Sequence, residues 1–165
     1  MINQKISIKN CNLADAKLLL NIHNSAVKKG YFTQTKIIRI KEQIKWVNFI
    51  LKDGSTKIFI GLFNKKKFGY TRFKKINKYC FEVSIGILPK YYDKGLGSLM
   101  LKKAIKKIIN IHNPKKIISV VKKINLRSHV FFFKNKFKLI KFNKKKHFTL
   151  NKFYIKKLNY YEFKV

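Results

Sequence analysis

Residues 81–89 read Phe-Glu-Val-Ser-Ile-Gly-Ile-Leu-Pro, and residues 90–98 continue Lys-Tyr-Tyr-Asp-Lys-Gly-Leu-Gly-Ser. The first half alternates in the manner of a β-strand, whereas the second half is a glycine turn that opens a helix. The first amides of a helix have no helical acceptor and lie at the positive end of its dipole, and glycines let a phosphate approach the backbone. The segment therefore predicts an anion site between a strand and a helix.

Two common phosphate motifs do not fit this loop. The dinucleotide fingerprint requires a third glycine where Met100 stands, and the P-loop requires Gly-Lys-Ser/Thr, whereas the order here is Lys94-Gly95. Apolar residues then recur at helical spacing, at Leu96, Leu99, Met100, Ile105, Ile108 and Ile109, until Asn113-Pro114 ends the pattern. The loop thus opens a long amphipathic helix, and the anion site that it predicts matches neither of these two motifs.

The spacing resembles the acetyl-CoA loop of the GCN5-related N-acetyltransferases, Gln/Arg-x-x-Gly-x-Gly/Ala. Gly95 and Gly97 match that pattern, and Tyr92 stands at its Gln/Arg position. Residues 125–137 resemble the second signature of the family, Asn-x-x-Ser, a helix, Tyr-x-Lys and then Gly-Phe. The matching residues are Asn125, Ser128, Lys134 and Phe137, whereas Phe132 replaces the tyrosine and Lys136 the glycine.

The resemblance covers about residues 5–157 and implies an α/β (α+β) fold, a mixed, mostly antiparallel central sheet of about seven strands with helices on both faces. It implies acetyl-CoA as the donor and no metal. The positions that it assigns to acetyl-CoA are Ile85, Gly86, Ile87, Asp93, Lys94, Gly95, Leu96, Gly97, Ser98, Asn125, Ser128 and Phe132. Asn125 and Ser128 are equally suited to capping a helix.

Glu82 and Ser84 are the candidate catalytic residues. They share one face of the strand with Gly86, and the family lays the thioester beside residues matching Ile85 to Ile87. Glu82 is suited to accept the proton of the attacking amine, but about 13 Å of strand separates it from Gly86, so Ser84 or a water must relay the proton. The alternative is that Glu82 pairs with Arg72, nearly opposite on the preceding strand.

Phe132 stands where many relatives carry a tyrosine that protonates the departing thiolate. A phenyl ring has no proton to donate, so we expect Phe132 to pack against acetyl-CoA.

The acceptor is predicted from a narrower resemblance. Residues 44–46 (Ile-Lys-Trp), Gly69-x-x-Arg72-Phe73 and Glu82-Val-Ser-Ile85 are similar to acetyltransferases that modify the 4-amino group of nucleotide-linked deoxysugars for pseudaminic-type and other surface polysaccharides. Arg72, His23 and Asn24 are then the candidate acceptor-binding residues. Gln43 replaces a histidine often found in that branch. Peptide-directed relatives, which acetylate ribosomal-protein N-termini, often carry a glutamate where Val120 stands.

Length and charge limit the other functions. The 165 residues predict one domain, 1–165, and the net charge of +34 raises the alternative of a basic RNA-binding domain. Only Arg39, Arg72 and Arg127 among the 40 basic residues are arginine, whose guanidinium suits base recognition better than a lysine ammonium. An A/T-rich genome, whose codons favour lysine, therefore explains the charge better. No apolar run spans a membrane, and Cys11 and Cys80 form no disulfide framework. We expect a cytoplasmic monomer or homodimer without specific nucleic-acid or membrane partners.

The remaining pattern predicts where the other elements lie. A strand is expected over Ile2 to Lys9, a helix over Arg39 to Leu51, and two final strands between Phe137 and Leu158. In the Arg39–Leu51 helix, the spacing predicts a buried stripe of Ile40, Ile44, Val47 and Leu51.

Overall fold

The computed structural model describes residues 6–32, 35–141 and 158–165. The described residues form a seven-stranded sheet with the order β1-β2-β3-β4-β5-β7-β6. Its strands are β1 (Ile6–Asn10), β2 (Thr56–Phe63), β3 (Lys66–Asn77), β4 (Cys80–Ile87), β5 (Lys116–Lys122), β6 (Lys138–Ile140) and β7 (Leu158–Lys164). Every neighbouring pair is antiparallel except β4 and β5, which run parallel. The predicted mixed, mostly antiparallel sheet is confirmed.

Four helices cover the two faces of the sheet. They are α1 (Ala16–Lys28), α2 (Ile40–Asp53), α3 (Leu96–His112) and α4 (Leu126–Lys134). Leu19 of α1 and Val47 of α2 pack with Ile60 on one face. Leu101 of α3 and Phe132 of α4 pack with core residues of the other face. The two faces of each central strand are therefore both buried, because helices lie above and below it.

Alternation along β4 decides which side chains meet which helices. Phe81 and Val83 point into the core beneath α3 and α4, whereas Gly86 faces α1. A methyl group at Gly86 would lie 2.5 Å from Ile22 Cγ2 and 2.7 Å from Tyr70 Cε1. Only glycine permits this close approach of α1 to the end of the strand.

The predicted buried stripe of α2 is wrong in part. Val47 is fully buried as expected, but Ile40, Ile44 and Leu51 are 41%, 39% and 47% exposed. The buried residues are Gln43, Val47 and Ile50, so the helix is rotated relative to the apolar stripe. Its packing against α1 and β2 selects that face, and the polar Gln43 is carried inside with it.

The structure describes two C-terminal strands, β6 and β7. Phe137 directly precedes β6, and β7 spans Leu158–Lys164. Residues 142–157, to which most of the predicted strand pair was assigned, lie outside the described residues, as do residues 2–5 of the predicted first strand. β7 inserts between β5 and β6, so the last strand along the chain does not lie at the edge of the sheet.

Candidate active site

A cleft opens where strands β4 and β5 separate. The two strands pair only from Cys80 to Glu82 on β4, with Lys116 to Ile118 on β5. Beyond that point β4 continues to Ile87 and β5 to Lys122, and within the described residues no strand pairs with the facing edges of residues 83–87 and 119–122. The gap is a cleft of about 630 Å³. Unpaired strand edges present backbone donors and acceptors to whatever molecule occupies it.

Most of the residues predicted from the sequence line this cleft. They are Arg72, Glu82, Ser84, Ile85, Gly86, Ile87, Asp93, Gly95, Leu96, Gly97, Ser98, Asn125, Ser128 and Phe132. Lys94 is not among the lining residues, and its ammonium lies 5.9 Å from the centre of the Tyr91 ring. The fold therefore brings together segments that are more than 50 residues apart in the sequence.

The glycine loop delivers the start of α3 to the cleft. Gly95 has a φ of +71°, which turns the chain into the helix, and its carbonyl accepts hydrogen bonds from the amides of Ser98 and Leu99. The amides that come before Ser98 in the first turn have no helical acceptor. Gly97 is buried, and a methyl group there would lie 2.6 Å from Ile87 Cδ1. Gly97 is thus required for packing as well as for access to the loop.

Ser98 is held by a residue that the sequence analysis missed. Asn135 donates one hydrogen bond to Ser98 Oγ (2.9 Å) and one to the carbonyl of Phe131 (2.8 Å). Asn135 is buried just after α4. The contact joins the end of α4 to the start of α3, 37 residues apart, and no local pattern in the sequence announces it.

The second predicted segment places another helix start at the cleft. Asn125 Oδ1 accepts a hydrogen bond from the Ser128 amide at 3.1 Å, so Asn125 is the N-cap of α4. Both residues also line the cleft. The cap and the cofactor assignments are therefore compatible, since capping occupies the side-chain carbonyl oxygen and the carboxamide nitrogen is a separate donor.

Phe132 lies at the boundary between the cleft and the core. Its ring stacks on Tyr161 with centroids 6.1 Å apart and meets Phe137 edge-on at 5.1 Å. Only 3% of the residue is exposed. The replacement of a tyrosine by phenylalanine therefore suits a position that is mostly core, because a phenol hydroxyl would need a partner there.

Glu82 is unusual among the carboxylates of this chain. Four of the six carboxylates (Asp15, Glu42, Asp93, Glu162) form ion pairs with lysine or arginine, and Asp53 accepts hydrogen bonds from Ser55. Glu82 forms no ion pair within the described part of the chain, although the full sequence has 40 basic residues and only six acidic ones. Its negative charge is thus available in the cleft.

The alternative, an ion pair of Glu82 with Arg72, is not formed in the described part of the chain. The residue opposite Glu82 on β3 is Lys74, and Arg72 lies opposite Ser84. Arg72 Nε and Ser84 Oγ are both buried and have no hydrogen-bond partner among the residues that the structure describes. Buried polar atoms without a partner are rare in folded proteins, so two of them facing one cleft point to a ligand that bonds to them.

His23 and Asn24 do not reach the cleft. His23 Nε2 donates to the carbonyl of Lys36 at 3.3 Å, and Asn24 makes two hydrogen bonds with the backbone of Ile38, at 2.9 and 3.1 Å. Neither residue lines the cleft. Their contacts support a role in holding the connection between α1 and α2 in place, and not the predicted contact with an acceptor.

The segment directly after α1 also lines the cleft, and the sequence analysis did not predict this. Tyr31 and Phe32 line the cleft, and Lys122 of β5 donates a hydrogen bond to the carbonyl of Gly30 at 3.1 Å. This contact spans 92 residues of sequence. The segment after α1 is thereby joined to the end of β5 beside the cleft.

The separated strands and the glycine loop at the start of α3 define an α/β enzyme that binds an acyl thioester between two strands. The chain belongs to the acetyltransferase (GNAT) family, whose model matches residues 19–137. The protein is an N-acetyltransferase, and acetyl-CoA is its donor. No protein of curated function matches the sequence significantly.

Solved structures share this fold along nearly the whole chain. The yncA protein of Salmonella typhimurium, solved with its cofactor acetyl-CoA, is 16% identical, with 96% of this chain and 93% of that chain covered and a TM-score of 0.75. Spermidine N-acetyltransferase from Vibrio cholerae, in complex with CoA and spermine, is 17% identical, with 95% and 92% covered and a TM-score of 0.76. Ribosomal-protein-alanine N-acetyltransferase from Brucella melitensis is 15% identical, with 96% and 99% covered and a TM-score of 0.76. At these identities the similarity establishes the fold and leaves the acceptor open.

Two further findings concern membrane-spanning helices and metal ligands among the described residues. No helix among them is long and apolar enough to cross a membrane. They also contain no group of three or more His, Cys, Asp or Glu side chains arranged to hold a metal ion.

Proposed function

We propose that this acetyltransferase acts on the primary amine of a nucleotide-linked aminosugar, by direct transfer in a ternary complex. The observation that carries the proposal is the buried Nε of Arg72, which has no hydrogen-bond partner among the described residues. It lies beside Ser84, on the strand face that turns towards α1. A guanidinium in that position can donate hydrogen bonds, directed within its own plane, to the oxygens of a diphosphate or to a sugar hydroxyl.

The charges that line the cleft favour an anionic acceptor. The cations there are Arg72, Lys122, Arg127 and Lys134, and the carboxylates are Glu82 and Asp93. Asp93 already pairs with Arg127, which leaves Glu82 as the carboxylate without an ion pair. Either ligand would meet more positive than negative charge in this cleft. That excess repels a polyamine with several ammonium groups and attracts the diphosphate of a nucleotide sugar.

Glu82 is the proposed general base. Acetyl-CoA supplies an acetyl group activated as a thioester, and the neutral amine of the acceptor attacks its carbonyl carbon. The C–N bond of the amide forms as the C–S bond breaks, and CoA leaves as a thiolate that takes its proton from water, because Phe132 has none to donate. Glu82 accepts the proton that the amine loses, through Ser84 Oγ or a water, because about 13 Å of strand separates Glu82 from Gly86. Ser84 lies between them on the same face, and its buried hydroxyl has no partner among the described residues.

The backbone supplies the rest of the proposed chemistry. The free edge of Ile85, Gly86 and Ile87 holds the pantetheine arm and directs amides at the thioester carbonyl, where negative charge develops. The amides at the start of α3, from Gly95 to Gly97, hold the diphosphate of CoA. These assignments use groups that line the cleft and that the sheet and helix leave without acceptors.

A ribosomal-protein N-terminus is the alternative acceptor. Val120 lines the cleft on β5, at the position where peptide-directed relatives often carry a glutamate. A valine offers neither a charge nor a hydrogen bond to a peptide amine, which favours the sugar.

The acceptor is tested by CoA release from acetyl-CoA with a panel of amines. The panel contains UDP-linked 4-amino-4,6-dideoxysugars, the same aminosugars without the nucleotide, spermidine, and N-terminal peptides of ribosomal proteins. We expect the nucleotide-linked sugars to turn over with the highest kcat/KM. Turnover of spermidine or peptides with inert aminosugar nucleotides would refute the acceptor class and leave the acetyltransferase activity standing.

A further inference from the structure

Tyr92, at the start of the glycine loop, is held between two cations from distant elements. The guanidinium of Arg127 lies 4.4 Å from the centre of the ring, and the ammonium of Lys29 lies 5.2 Å from it. Arg127 belongs to the first turn of α4, and Lys29 follows α1. An aromatic ring attracts a cation and holds it in position, but the cation keeps its charge.

Arg127 also forms an ion pair within the same loop. Its two terminal nitrogens contact the two carboxylate oxygens of Asp93, at 3.2 and 3.3 Å. The side chains are 50% and 79% exposed, and ion pairs so open to water contribute little to stability. The pair is therefore readily exchanged for a stronger anion that arrives in the cleft, which both residues line.

We propose that Arg127 is a binding residue for the diphosphate of acetyl-CoA and that Asp93 competes for it in the empty enzyme. The loop offers amides but no cation that lines the cleft, since Tyr92 is aromatic and Lys94 lies outside the lining. The stacking on Tyr92 keeps the planar guanidinium at the cleft when the donor displaces Asp93. A phosphate then receives the two parallel N–H bonds that the carboxylate had accepted.

The inference deepens the binding of the established donor and does not depend on the identity of the acceptor. It is tested by calorimetric titration of the full chain with CoA, dephospho-CoA and pantetheine. We expect Arg127→Gln to weaken CoA and dephospho-CoA equally, by about tenfold each, and to leave pantetheine unchanged. Arg127→Lys should recover part of the affinity. Lys123→Gln, an equal loss of charge at an exposed residue outside the cleft lining, is the matched control.

Asp93→Asn tests the competition separately. Asparagine accepts the left-handed φ of +59° at this position, so the loop is retained while the rival charge is removed. The Kd of CoA should fall by a few-fold, because Arg127 no longer has to leave a carboxylate.

Three results would overturn the proposal. The first is an Arg127→Gln enzyme that binds CoA as tightly as the parent. The second is a loss that affects pantetheine equally, which would indicate a structural role. The third is a loss for CoA without one for dephospho-CoA, which would place Arg127 at the other phosphate. A Kd that does not fall in Asp93→Asn would refute the competition.

Discussion

Glu82 and Ile118 are the last residues that pair strands β4 and β5, and the cleft begins directly beyond them. At this point the backbones of β4 and β5 stop pairing with each other, and the carboxylate of Glu82 lies at that boundary. The same residue lacks an ion pair within the described residues. Position and charge together make Glu82 the side chain on which the proposed chemistry depends most.

We predict that Glu82→Gln lowers kcat by roughly two to four orders of magnitude, because the amide cannot accept the proton of the amine. The affinity for CoA should be unchanged, since the carboxylate acts on the acceptor side. Steady-state kinetics and calorimetry measure the two quantities. Glu162→Gln on β7, which removes an ion pair with Lys116, is the control and should retain activity. Equal losses in both variants would contradict the role of Glu82.

Arg72→Gln should raise the KM for nucleotide-linked aminosugars about tenfold with a smaller change in kcat, because a contact to the diphosphate binds substrate and transition state alike. With the corresponding sugar lacking a nucleotide, mutant and parent should perform equally. Lys74→Gln is the matched control, because Lys74 lies on the same strand but is exposed and outside the cleft lining. A KM that rises for both kinds of acceptor would argue against a phosphate contact.

Gly97 gives a prediction about stability. A methyl group at this position would collide with Ile87 Cδ1 at 2.6 Å and approach Phe131 at 3.1 Å, so a larger residue would disturb the packing as well as block the approach of CoA. We expect Gly97→Ala to lower Tm, and Ile87→Val, which deletes Cδ1, to restore much of the loss in the double variant. Thermal unfolding of the four proteins measures the coupling. Strictly additive effects would show that the two residues do not compete for space.

The contacts of Asp15 predict that the stability of the fold decreases at acid pH. Its carboxylate is fully buried and bonds to Lys9 and Lys67 at 2.5 Å each, and to the amide of Asn12 at 3.0 Å. Burial by itself raises the pKa of Asp15, but the hydrogen bonds from Lys67, Lys9 and Asn12 outweigh it and hold the pKa below its ordinary value of 3.8. The stabilisation is therefore complete above that ordinary value and is lost as the pH falls through the lower folded value.

Asp15→Asn should lower the free energy of unfolding by roughly 1–3 kcal/mol at pH 6. Both lysines are partly exposed, so the loss of these two ion pairs destabilises the fold less than the loss of a fully buried pair would. The difference from the parent should shrink below about pH 4. Chemical denaturation across this pH range checks both statements. Asp53→Asn, at an exposed turn, should change little at any pH. A gap that stays constant down to pH 2 would contradict the assignment.

The local elements followed from the sequence because their signals are short-range. Alternation predicted β4, the glycine pair predicted the start of α3, and Asn113-Pro114 predicted its end, where Asn113 adopts a left-handed φ of +42°. Each of these depends on residues within one strand or a few helical turns. The order of such elements, matched to a family, was enough to predict the sheet and the donor.

The tertiary structure alone decided how distant segments meet. It placed Arg72 opposite Ser84 and not opposite Glu82, buried the Gln43 face of α2, and joined Asn135 to Ser98 and Lys122 to Gly30. These outcomes depend on strand register and on packing between elements far apart in sequence, to which no local periodicity corresponds. The sequence determined which residues are candidates to bind acetyl-CoA, and the separation of β4 from β5 determined which of them line the cleft. The physical reason is that the facing edges of these strands, unpaired within the described residues, come together only in the assembled sheet.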